Sequence, residues 1–176
     1  MRINRLNIKY ILACTILGLI LSTILFVIIS LSTTHWAHSK YVRAGLWKLC
    51  HLQPVICFYS ILQTPIALTI TGFLLLLIGL FSTIIFDIFN YRFTSWFRYF
   101  SFASVSSLTL ASFFFTTTCV VFASQTTHSF CYSYYLMIIA QLLAMLAAIG
   151  ASYLQGQRNA LVSTSVIMSR LAVRRP

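Results

Sequence analysis

Four long apolar runs, parted by short basic or aromatic segments, leave this chain little choice of fold. They cover roughly residues 10–31, 61–86, 102–124 and 132–154. An α-helix needs about 20 consecutive apolar residues to cross a bilayer, and each run is long enough. Of the 176 residues, 60% are hydrophobic and 7% charged, and Asp87 is the one acid. With a mean hydropathy of +0.92, this is not a soluble domain. The net charge of +11 would point to nucleic acid in a soluble protein. Here the cations stand at the edges of apolar runs, so lipid headgroups are the expected partner and nucleic acid is not.

The first run follows Arg2, Arg5 and Lys9, which raises the question of a signal peptide. Its length of about 22 residues exceeds the 7–15 of a signal core, and no small-x-small site closes it. It is expected to stay as an uncleaved first span. Cys14, Gly18 and Ser22 recur every fourth residue along it, a small stripe that permits close helix contact. Similar stripes are Ala103, Ser107 and Ala111 in the third span, and Ala140, Ala144, Ala148 and Ser152 in the fourth. Gln63 and Pro65 fall in the first turn of the second span, where a missing N–H does no harm. Gln141, in mid-span, is expected to hydrogen-bond a neighbouring helix.

Charge sets the orientation. The tails and the loop between spans two and three hold Arg2, Arg5, Lys9, Arg92, Arg98, Arg158, Arg170, Arg174 and Arg175. The other two loops hold Lys40, Arg43 and Lys48. The positive-inside rule then places both termini in the cytosol, with residues 155–176 as a basic cytosolic tail. Tyr91, Trp96, Phe97 and Tyr99, set among Arg92 and Arg98, read as a headgroup-level belt.

The first outer loop, residues 32–60, differs from everything around it. It carries Trp36, then Gly45-Leu46-Trp47-Lys48-Leu49-Cys50, then Cys57. Two cysteines with six residues between them, and Pro54 midway, predict a disulfide-closed hairpin on the oxidising side. Closure of so short a loop is worth about 2–3 kcal/mol in the chain-entropy model. The β-branched and aromatic content of 41–46 and 55–61 predicts short paired strands. Water does not hold Leu46 and Trp47 well, so they and Trp36 belong either to the bundle top or bilayer interface, or to a partner.

Trp36, Gly45, Leu46, Trp47, Cys50 and Cys57, with four spans and both ends inside, resemble the pattern of the claudin superfamily. Residues 130–136, Phe-Cys-Tyr-Ser-Tyr-Tyr-Leu, resemble the aromatic opening of its fourth helix. The resemblance covers roughly residues 8–155. It implies a left-handed four-helix bundle capped by a small antiparallel β-sheet, in a multi-pass plasma-membrane protein of cell junctions or cell adhesion. The chain departs from claudins in its short cysteine gap, its near-absent loop after Cys57 and its very short second outer loop. Its end, Arg174-Arg175-Pro176, is not the Tyr-Val that binds junction scaffolds. It looks closer to the branch of epithelial membrane proteins and the lens fibre protein, as a divergent member.

Enzymatic chemistry and cofactors are not expected. One acid makes a carboxylate dyad impossible, and Asp87 lies on the wrong side to serve a histidine outside. No phosphate loop is present. His35, His38, His51 and His128 share the outer side but have no acid to orient them on a zinc ion, so no metal is expected. Cys14 and Cys119 read as small packing residues within spans. Two functions fit: contact or membrane organisation by lateral self-association, or service as an auxiliary subunit of a channel or receptor. If the chain lines a path between cells, Lys40, Arg43 and Lys48 would favour anions; otherwise they are solvated loop charges.

Overall fold

The computed structural model describes residues 5–33, 35–52, 55–59, 63–88, 97–126 and 129–173. Side chains are described for residues 10–33, 35–51, 56–58, 63–85, 99–126 and 129–157. Pro54, Arg92, Trp96 and His128, and the side chains of Asp87 and Arg98, therefore lie outside the described residues.

Four helices carry the chain: α1 (Arg5–Ser32), α2 (Gln63–Ile88), α3 (Phe97–Gln125) and α4 (Tyr132–Val173). Among the described residues, four segments are long and apolar enough to span a membrane: Tyr10–Ser32, Gln63–Ile85, Tyr99–Gln125 and Tyr132–Gln157. They match the four expected spans to within a few residues. The helix of α4 does not stop near 154, where a tail was expected to begin. It runs on to Val173, because no proline or turn cluster interrupts the sequence before Pro176.

Pairwise, α2 packs on α3, α3 on α4, and α4 on α1. Many hydroxyls inside the spans bond their own preceding turn, as Thr23 does to the Leu19 carbonyl at 2.8 Å. Between helices, Thr69 donates to Thr118 at 3.3 Å and Thr83 pairs with Ser104 at 2.6 Å. The Gln141 contact is made by its backbone carbonyl, which accepts from Ser112 Oγ at 3.4 Å.

The small stripes divide. Ser107 and Ala111 are buried in α3, as are Ala140, Ala144 and Ala148 in α4, while Ser152 is exposed. Cys14, Gly18 and Ser22 are all exposed, so the α1 stripe is not buried among the described residues. A Cβ added at Gly18 would meet nothing within 4 Å. The close α2–α3 approach uses Gly72 and Gly79 instead. Cβ atoms there would stand 2.8 Å from Phe115 and 2.9 Å from Leu108.

One end of the bundle carries a five-stranded antiparallel sheet. Its strands are β1 (Ala37–His38), β2 (Val42–Ala44), β3 (Lys48–Leu52), β4 (Val55–Tyr59) and β5 (Ser129–Phe130), in the order β4-β3-β2-β1-β5. The first loop supplies four strands and the second adds β5 beside β1. That fifth strand was not expected from sequence. Ala37 and Ala44, opposite each other, press one face of the sheet into the bundle core.

Candidate functional site

Trp36 holds the sheet to the helices. Its side chain is completely buried. The indole Nε1–H donates to the Ser30 carbonyl at the end of α1, at 2.8 Å. The ring lies 5.0 Å from Phe122 of α3 and 6.3 Å from Tyr134 of α4. Its backbone N–H donates to Ala44 at 3.0 Å, and its carbonyl accepts from Cys131 at 2.9 Å. One residue thus joins three helices and both loops. Beside it, Ser30 Oγ donates to the Ser133 carbonyl at 2.8 Å, pinning α1 to the start of α4.

Gly45, Leu46 and Trp47 form the turn between β2 and β3, closed by the Gly45 N–H donating to the Lys48 carbonyl at 2.7 Å. The turn splits the two large residues. Leu46 is fully buried in the bundle top, whereas Trp47 stays 37% exposed at the rim. The structure thus places Trp36 and Leu46 on the bundle-top side of the expected choice.

Cys50 and Cys57 are bonded to each other and are direct partners across β3 and β4. Residues paired across an antiparallel sheet point to the same side. One row therefore runs Ser129, His38, Arg43, Cys50, Cys57 along the face turned away from the bundle. Lys48, two residues before Cys50, shares that face. Arg43, Lys48 and His38 are all exposed. Lys40 lies in the β1–β2 turn with its Nζ 5.5 Å over the ring of Tyr41. Two of the three expected loop cations are thus gathered on one open face around the disulfide, and no carboxylate lies within residues 32–60.

The opposite face carries Phe130, Ala37, Ala44, Leu49 and Phe58 in one row. It is buried over the bundle at β1 and β2. Beyond Leu49 it runs past the helices, leaving Phe58 55% and Ile56 45% exposed. His51 shares this underside, edge-on to Phe58 at 6.4 Å. His35 stacks on Tyr132 at 5.4 Å. Among the described residues, no three His, Cys, Asp or Glu side chains gather into a metal site.

Far from the sheet, Ile16, Thr83, Ser101, Ser104, Val105, Ala151 and Leu154 line a cavity of about 20 Å³, room for one water.

No family model matches the chain, and no curated protein matches it.

Proposed function

We propose that the chain is a claudin-like, non-enzymatic protein of the plasma membrane that organises the membrane or a cell–cell contact by lateral self-association. In this reading the helices wind as a left-handed bundle, both termini lie in the cytosol, and the sheet stands outside, where its disulfide forms. The observation that carries the reading is the outward stripe of Cys14, Gly18 and Ser22 on α1. Small side chains in a span let a second helix approach closely, and this chain does not use them for its own packing.

Charge favours association side by side over head to head. Two sheets meeting by their outer faces would oppose Arg43 and Lys48 with the same cations, and neither loop has an acid to pair with them.

The alternative is an auxiliary subunit of a channel or receptor. The same cationic face supports it, since an acidic surface on another protein would complement it.

Energy transfer between two fluorescently tagged copies in the plasma membrane tests the choice. Transfer is expected for the native chain and is expected to fall for Gly18→Ile. Absence of transfer between native copies at matched expression removes self-association and leaves the subunit reading.

A further inference from the structure

We propose that the β3–β4 hairpin lies face-down in the headgroup layer of the membrane that the chain spans, with Ile56 and Phe58 against lipid. The inference rests on the membrane reading above.

Three observations converge on it. First, the exposed underside continues the sheet face that is buried over the bundle. Ala44, Leu49 and Phe58 lie in one row, and the first two pack on the helix ends. A face that looks down onto the helix ends looks down onto the membrane wherever it passes beyond them. Second, the hairpin is tethered close to that surface. β4 ends at Tyr59 and the second span begins at Gln63, so four Cα steps hold the strand end within about 15 Å of the span. Third, the chemistry fits a headgroup layer. Two half-exposed apolar side chains sit beside His51, whose ring N–H can donate to a phosphate or ester oxygen. Trp47, at the rim of the adjoining turn, adds an aromatic of the type that settles at this depth.

A second copy is a poorer occupant. Its hairpin would set His51 against the same histidine, and residues 32–60 contain no carboxylate to accept from either ring. Lipid phosphate and ester oxygens can accept from the His51 ring N–H, and the acyl boundary takes the two apolar side chains.

The test places p-benzoylphenylalanine at Phe58, and in a separate variant at Ile56, in the full chain reconstituted into phosphatidylcholine vesicles. Leu74, exposed on α2 in mid-span, and Arg43, on the opposite sheet face, serve as reference positions. After illumination, adducts are identified by mass. Lipid adducts at 56 and 58 are expected at a yield near that of Leu74 and about tenfold above Arg43, a ratio that half-burial of a phenylalanine supports. Adducts to a second protein chain at both positions would mean that a copy covers the face, and would overturn the proposal. Yields no higher than at Arg43 would mean a solvated hairpin, with the same consequence. Absence of lipid adducts at Leu74 itself would overturn the membrane reading, and the inference with it.

Discussion

Replacing Trp36 by alanine should unfasten the sheet from the bundle. The side chain is fully buried against Phe122 and Tyr134, so its removal costs transfer energy and leaves a cavity. Large aromatic-to-alanine changes in such sites cost about 3–5 kcal/mol. That is a large share of the 5–15 kcal/mol typical of a folded domain. Trp36→Phe keeps much of the ring but loses the Nε1–H donor to Ser30. The Ser30 carbonyl still accepts from Thr33 Oγ1 at 3.2 Å, so about 1–2 kcal/mol is expected. Trp47→Ala should cost less than Trp36→Ala, because Trp47 already keeps 37% of its surface open and leaves no enclosed cavity. Equilibrium unfolding of the purified variants in mixed micelles, titrated with SDS, gives the three values on one scale. Trp36→Ala is expected to cost more than either of the other two. A Trp36→Ala protein as stable as wild type, or one that Trp47→Ala undercuts, would refute the anchoring role and make Trp36 a contact for a partner.

In the same titration, Gly72→Ala should destabilise by about 1–3 kcal/mol, because its Cβ would stand 2.8 Å from the buried Phe115 ring; Gly18→Ala, which meets nothing, should be neutral. Equal effects at the two glycines would contradict the α2–α3 contact. Cys50→Ser should loosen the hairpin by about 2–3 kcal/mol while the four spans stay formed. Hydrogen exchange is expected to speed up in β3 and β4 and to stay slow in the helices, and uniform acceleration would show that the disulfide supports the whole bundle.

The four long apolar helices were legible because every Lys, Arg and Asp of the sequence falls outside the apolar segments Tyr10–Ser32, Gln63–Ile85, Tyr99–Gln125 and Tyr132–Gln157. Which way each span faces was not. In lipid the outer side of a helix is as apolar as its core side, so periodicity loses its meaning. Cys14, Gly18 and Ser22 look like a packing stripe by spacing alone, yet they face outward. Gly72 and Gly79 stand seven residues apart, a spacing that a search for every fourth residue passes over. The disulfide followed from two cysteines in one polar gap, and the structure bonds them. β5 was hidden because it is two residues long and takes its register from β1, far away in the chain. Trp36, Leu46 and Trp47 carry no sequence mark that separates anchors from rim. The Gly45–Lys48 turn separates Leu46 from Trp47.

The same sorting bears on where specificity lies. Of the large apolar residues of the first loop, Trp36 and Leu46 are sealed inside, and Trp47 stays at the rim. A buried side chain cannot choose a partner; it fixes the platform on which other residues do so. Trp36 joins α1, α3 and α4 to both loops, so the sheet cannot turn independently of the bundle. Arg43 and Lys48 are therefore held at a set height and facing away from the helices, while Ile56 and Phe58 are held facing back. In the proposed reading, discrimination between partners comes from these positions and from the open side of α1. They can change without disturbing Trp36 or Leu46, so the same platform can present different surfaces.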